Sequence, residues 1–462
     1  MTMWQPQIAG RTGPRYRAIA EAIAEDASRG RLRPGSRLPT HRDLADRLGV
    51  TVGTITRAYA EAARRGIVTG EVGRGTFVRA AGAEPIVFRF ASQAEAGLID
   101  MSVNLPPSPP DPAALAQALN TISARPGLGS LLDYAPEGGS PEHRAAGASW
   151  IARFGLEVTP DRVLVSSGSQ HGMTAVLSAL LRPGDLVLTE SLTYPGMKAL
   201  AGLLHLRLQA VAIDEHGLRP DAFRAACRGR SVKALYCVPT LHNPTTAVMP
   251  EGRRREVVAI ARQHDVLVVE DDVHGPLIED RPPLFAVLAP EITVHLSGTA
   301  KTLAPGLRIG YIVAPKALVP RLATAIRATT WMAAPLLAEV ASVWIHDGTA
   351  DRILAGNRKE AAARHRLAMS VLGRFQPQAH PAAHHLWLHL PESRRSETFT
   401  EQARRAGVAV TPAQAFVVGG AAAPRAVRVC LGVARDRVEL EKGLRILAGL
   451  LDQRPDDELL VV

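Results

Sequence analysis

Apolar positions near the N-terminus recur at helical spacing, with Tyr16, Ile19, Ala20, Ile23 and Ala24 on one stripe. Gly30, Pro34 and Gly35 end that helix. Thr40-His41-Arg42-Asp43 then reads as an N-cap followed by an acid at the third helical position. Leu44, Ala45 and Leu48 give this second helix a buried stripe, and Gly49 is the small residue expected at a tight helix–helix turn. Thr51 can cap a third helix in which Val52, Ile55, Tyr59 and Ala62 face inward, leaving Thr54, Thr56 and Arg57 nearer the other faces. Two short β-rich runs around Gly70, Gly73 and Gly75 predict a hairpin with Arg74 at its tip.

Residues 80–100 lack helical periodicity and read as a linker with room for one short strand. About twenty extended residues span at most roughly 70 Å. From residue 101 to about 455 the pattern alternates, with apolar strand candidates at 163–165, 186–188, 208–213, 234–238, 266–269, 294–296 and 309–313 and helical stretches between most of them. Such alternation predicts an α/β domain, a mainly parallel sheet covered on both faces, with ligands bound at the carboxyl ends of its strands.

Composition agrees with more than one domain: 462 residues exceed one ordinary core. The cysteines, Cys227, Cys237 and Cys430, have no metal or disulfide-framework spacing, which fits a reducing compartment. No apolar run has the length of a signal peptide or a membrane span, so a cytoplasmic location without membrane contact is expected. Charge is uneven. Residues 1–80 hold fourteen Arg against seven Asp and Glu, which accounts for seven of the chain's ten net positive charges. A concentrated basic patch suits DNA phosphates, although a solvated arginine-rich face would look the same.

The chemistry gathers at the predicted strand ends. Lys301 follows one of them in Ser297-Gly298-Thr299-Ala300-Lys301, among small residues, where an amine can condense with an aldehyde. The hydroxyls of Ser297 and Thr299 and the fork of Arg308 could hold a phosphate. Glu270-Asp271-Asp272-Val273-His274 ends another apolar run and places a carboxylate where a pyridine nitrogen could pair with it; a divalent-metal site is the competing reading. Asn243 follows a third strand. Ser167-Gly168-Ser169-Gln170 lies between strand and helix and could cradle phosphate. Tyr194 could stack on an aromatic ring.

The segment around Thr40 to Val78 resembles the winged helix-turn-helix of the GntR family of bacterial regulators, over residues 12–79. The resemblance implies a double-stranded DNA operator contacted by Arg42 and the start of the third helix (Thr51, Thr54, Thr56, Arg57), with Arg74 on the wing. Val52 stands where many relatives have Arg. The larger part resembles the fold-type-I aminotransferase domain. By that match pyridoxal 5'-phosphate is the cofactor, Lys301 forms its aldimine and Asp271 pairs with the pyridine nitrogen. Asn243 and His274 approach the 3'-oxygen, and Arg308 with Gly168, Ser169 and Gln170 holds the phosphate. Arg428 takes a substrate carboxylate, and Tyr134 reaches the neighbouring subunit's cofactor. His274 replaces the more usual Tyr, and Thr246 the usual Gly. The combination resembles the MocR subgroup of GntR-type regulators. It implies a homodimeric transcription factor that senses an amine or amino-acid effector, or pyridoxal phosphate itself. The alternative is an aminotransferase that carries a DNA-binding module.

Overall fold

The computed structural model describes residues 4–8, 14–28, 31–32, 36–64, 67–71, 75–78, 97–108, 111–419 and 422–453. They belong to two compact units, one comprising 1–87 and 419–424, the other 88–418 and 425–462.

The smaller unit contains helices α1 (Arg15–Ser28), α2 (His41–Leu48) and α3 (Val52–Arg64), then strands β1 (Val68–Glu71) and β2 (Gly75–Val78) paired antiparallel. The starts of α2 and α3 are capped. Thr40 Oγ1 accepts the Asp43 N–H and Thr51 Oγ1 accepts the Thr54 N–H, each at 3.2 Å. Each bond satisfies one of the donors that a helix start leaves open. Gly49 closes α2 at φ 59°, the left-handed region that a side chain would resist. Ile19, Ile23, Leu44, Ile55, Ala58, Tyr59 and Ala62 form the core with Val68 and Val78 of the hairpin. The buried Tyr59 hydroxyl donates to the Pro39 carbonyl at 2.8 Å. Val52 departs from expectation: it is 43% exposed. It is the first residue of α3, and the buried stripe begins one turn later, at Ile55. Arg74 lies outside the described residues.

In the larger unit, the main sheet uses β3 (Val163–Ser166), β4 (Leu186–Glu190), β5 (Arg207–Val211), β6 (Val232–Cys237), β7 (Leu267–Asp271), β8 (Thr293–Gly298) and β9 (Gly310–Val313). Their order is β3-β9-β8-β7-β6-β4-β5. Only β9 runs antiparallel to its neighbours. Alternate side chains enter different cores. Val163, Val165, Tyr311 and Val313 pack with Trp150 and Trp344 on one face. Leu164, Val187, Leu296 and Ile312 pack on the other against Met173, Val176 and Leu177 of α4 (Ser169–Leu180). The run at 208–213 is not one strand. β5 ends at Val211, and Ile213–Asp214 pairs with Gly217–Leu218 in a separate hairpin.

A smaller sheet, of β10 (Gln378–Ala379), β11 (His385–His389), β12 (Thr411–Pro412) and β13 (Ala426–Cys430), shares a core with helices Thr349–Leu372 and Arg437–Asp452. Ile99–Asp100 pairs in parallel with Val408–Ala409, so the last two residues of the 80–100 segment are a strand of the larger unit. Residues 80–96 lie outside the described residues. No helix among the described residues is long and apolar enough to cross a membrane.

Candidate functional site

At the carboxyl ends of β6, β7 and β8 lies a cavity of about 290 Å³, near the lower end of the usual small-molecule range of roughly 300–1,000 Å³. Its wall includes Asn104, Ser169, Gln170, Tyr194, Asn243, Asp271, His274, Lys301, Arg308 and Arg428. These residues come from positions as far apart as 104 and 428, and the sheet order makes them neighbours.

The Lys301 Nζ donates to the Asn104 carbonyl. Burial, with Arg428 nearby, pushes its pKa down to about 8, so its neutral, nucleophilic form is far more accessible than in an ordinary lysine. Asp271, at the end of β7, accepts the Tyr236 hydroxyl at 2.5 Å and the Val273 N–H at 3.4 Å. Burial raises its pKa despite those donors. A cation placed beside it would restore the carboxylate.

Arg308 follows a tight turn at Pro305–Leu307 and adopts a left-handed conformation, φ 51°. Its Nη2 donates to the Ser167 carbonyl at 3.4 Å. Gly168, at φ 85°, has no side chain for a physical reason: a Cβ there would stand 2.6 Å from Arg308 Nη2. Gly168 also N-caps α4 without any side-chain hydrogen bond to the helix start. A guanidinium beside an uncapped helix N-terminus is a place for an anion.

Arg428, on β13, is 3% exposed. It donates to Asn243 Oδ1 at 2.9 Å and to the Ser102 carbonyl at 2.5 Å, and its guanidinium lies 5.0 Å from the Phe416 ring centre. Tyr194 packs its ring over Gly196, where a Cβ would approach to 2.3 Å. His274 is held through Nε2, 3.2 Å from Asn104 Nδ2.

Three residues expected here, Gly168, Ser297 and Thr299, do not line the cavity. The Thr299 hydroxyl is committed to the Ile309 carbonyl at 3.0 Å, and Ser297 is buried within β8 at 2% exposure. Both side chains are buried in the protein, so Ser169, with Tyr194, supplies the hydroxyl groups of the cavity wall. Tyr134, expected to reach the neighbouring subunit's cofactor, is 78% exposed on the surface, with its ring 5.1 Å from that of Trp331. Among the described residues there is no group of three or more His, Cys, Asp or Glu arranged to hold a metal ion.

Sequence reasoning passed over Asn104, Tyr236 and His385. The only local signal for Asn104 was its place in Asn104-Leu105-Pro106-Pro107, a run that cannot be regular structure. Tyr236 meets Asp271 through the register of β6 against β7, which no local pattern reveals.

In the smaller unit, Arg42 on α2 and Thr51, Thr56 and Arg57 at the start of α3 are exposed, while Thr54 is half-buried. Thr54 Oγ1 lies 2.9 Å from Thr51 Oγ1, and the Thr56 hydroxyl donates to the Val52 carbonyl at 3.0 Å.

Comparisons with known proteins bear on both units. Residues 15–78 match the bacterial regulatory proteins of the gntR family, and residues 96–447 match aminotransferase class I and II. The "Uncharacterized HTH-type transcriptional regulator YdeF" of Bacillus subtilis is 31% identical over 449 residues, covering 97% of each chain. The "HTH-type pyridoxine biosynthesis transcriptional regulator PdxR" of Corynebacterium glutamicum is 29% identical over 312 residues, 66% of this chain and 67% of that one. Among solved structures, the α-aminoadipate aminotransferase LysN of Thermus thermophilus, complexed with N-(5'-phosphopyridoxyl)-L-leucine, superposes with a TM-score of 0.70 at 25% identity, covering 79% of this chain and 94% of that one. A gntR-type helix-turn-helix joined to a pyridoxal-phosphate-dependent aminotransferase fold is the MocR architecture, and the chain belongs to the HTH-type transcriptional regulators built that way.

Proposed function

We propose that this regulator couples its occupancy of a DNA operator to an amine or amino-acid effector captured at Lys301, with pyridoxal phosphate held in the cavity. The observation that carries this reading is the convergence of an accessible amine (Lys301), a buried carboxylate (Asp271), an anion site (Arg308 with the α4 start) and a second arginine (Arg428) on one cavity wall.

The donor set fits pyridoxal phosphate part by part. Lys301 would take the aldehyde, Asp271 the ring nitrogen, Arg308 and Ser169 the phosphate, and Asn243 and His274 the ring hydroxyl. Gln170 Oε1 and His274 Nδ1 are buried without a protein partner among the described residues, which is how polar atoms look when a ligand completes them. When bound, the group supplies an electron-withdrawing ring that stabilises negative charge beside a captured amine. Asp271 keeps the ring nitrogen protonated, because a neighbouring anion favours the charged form. Lys301 would hold the group through its amine and is placed where it could take up or return a proton. Arg428, oriented by Asn243, binds the effector carboxylate, and Tyr194 supplies an aromatic wall that keeps water out.

A homodimer suits both units. Leu128, Leu132, Tyr134, Trp331 and Leu336 are exposed apolar side chains of neighbouring segments, a surface for a second copy. Two copies present two α3 helices to two half-sites, in the cytoplasm, where the operator is. Arg42, Thr51, Thr54, Thr56 and Arg57 contact that DNA, with Arg74 a further candidate contact.

The test is operator binding by the full chain in the presence of pyridoxal phosphate alone, of amino acids alone and of both. Affinity that changes only with both supports the reading. A response to pyridoxal phosphate alone makes the cofactor itself the signal, and no response in any arm sinks the sensor. The intact pair of Lys301 and Asp271 also supports a second reading, transamination, for which sustained keto-acid release at enzyme-like rates is the evidence.

A further inference from the structure

Around His274 the hydrogen bonds can be followed proton by proton. His385 Nε2 lies 3.4 Å from the His242 carbonyl, which can only accept, so Nε2 carries a proton. His385 is 1% exposed, and burial together with Arg428 holds its pKa well below the usual histidine range. A neutral His385 protonated at Nε2 has a bare Nδ1. That Nδ1 lies 3.2 Å from Asn104 Nδ2, which must therefore be the donor. The other N–H of the same amide then points to His274 Nε2, also at 3.2 Å. A swapped amide would need His385 to be a cation, against both its burial and the neighbouring Arg428. His274 thus accepts at Nε2 and carries its own proton on Nδ1. Nδ1 is buried without a protein partner among the described residues, in a side chain that lines the cavity beside Lys301.

We propose that Asn104 and His385 are positioning residues that lock His274 in its Nδ1–H tautomer, so that it presents a fixed donor to the ring hydroxyl oxygen of pyridoxal phosphate. The proposal rests on the cofactor reading above and adds residues to it. In this proposal Asn104 and His385 act through His274. Groups facing His274 include Lys301, His385, His384 and Arg428, and any charge on them opposes a cation there. Burial first, and those groups after it, hold the His274 pKa well below the usual histidine range, which favours the neutral donor. A donor on the ring oxygen competes with the proton that this oxygen shares with the lysine-bound nitrogen, so it lowers the pH at which that proton leaves.

The experiment titrates the visible absorption of the cofactor bound to the full chain, for the natural protein, His274→Phe, Asn104→Leu and the double variant. His274→Phe is expected to raise the midpoint by about one pH unit, a roughly tenfold change in proton affinity. Asn104→Leu is expected to raise it part of the way, and to add nothing in the His274→Phe background. An Asn104→Leu effect that is absent, or undiminished in that background, overturns the lock. Nitrogen-15 spectra of the histidines in the unsubstituted, cofactor-free full chain give an answer that needs no folded variant. A His274 proton on Nδ1 supports the proposal, and one on Nε2 overturns it. If the natural chain binds no pyridoxal phosphate at Lys301, the cofactor reading fails, whatever the tautomer proves to be.

Discussion

At the scale of single residues, the site works by changing what a side chain prefers in water. Lys301 has a pKa of about 8 because burial and Arg428 disfavour its cation. The neutral amine therefore grows by about tenfold per pH unit below that value and saturates above it. Covalent capture of pyridoxal phosphate by the full chain is expected to accelerate between pH 6 and 8 and then level off. A rate that keeps climbing towards pH 10 means an ordinary lysine. Lys301→Ala abolishes the borohydride-fixed adduct at any pH. Arg428 has a different task. Arg428→Gln is expected to weaken the response to a carboxylated effector by roughly 10- to 100-fold, the scale of a charge-assisted hydrogen bond. Retention of pyridoxal phosphate stays unchanged. Calorimetry against both ligands checks this, and equal loss of the two would make Arg428 a structural residue. The residue types were legible in the sequence at Lys301, Asp271 and Arg308, since amine and acid each followed an apolar run and the guanidinium preceded one. The commitments of Thr299 and Ser297 were not, because which face of a strand end looks into a cavity depends on the neighbouring strands.

At the scale of elements, the helix pair of the smaller unit owes its geometry to local chemistry: Thr40 and Thr51 start helices, and Gly49 turns the chain between them. Cap and contact residues separate cleanly by experiment. Thr40→Ala is expected to cost about 1 kcal/mol of stability in this unit, the usual value of an N-cap. Arg42→Ala leaves stability alone, weakens operator binding and reduces its salt slope by about one, the signature of one lost phosphate contact. Thermal melts and binding isotherms at several salt concentrations read the two effects; an Arg42→Ala chain that melts early would place Arg42 in the fold and not on the DNA. Val52 shows the limit of periodicity. A valine at the right phase was expected inside, but the first turn of a helix extends past the neighbours that would cover it.

At the scale of the whole molecule, association is the open physical question that exposed apolar residues raise. Leu132 is 89% exposed, so a charge at that position costs the single chain little. Leu132→Asp is expected to shift the sedimenting species from dimer to monomer and to make operator binding strongly concentration-dependent. A variant that sediments like the natural chain removes this surface from the interface. By itself, the sequence determined the two units, the helix caps, the strand–helix alternation and the lysine and acid proposed for the site. All of these follow from periodicity, capping chemistry and strand ends, which are local. Tertiary structure alone decided that positions 104, 236, 271, 301, 308, 385 and 428 belong to one neighbourhood. The reason is topological. Strand order and register bring together residues hundreds of positions apart, and the burial that follows sets both the Lys301 pKa and the proton inventory of His274.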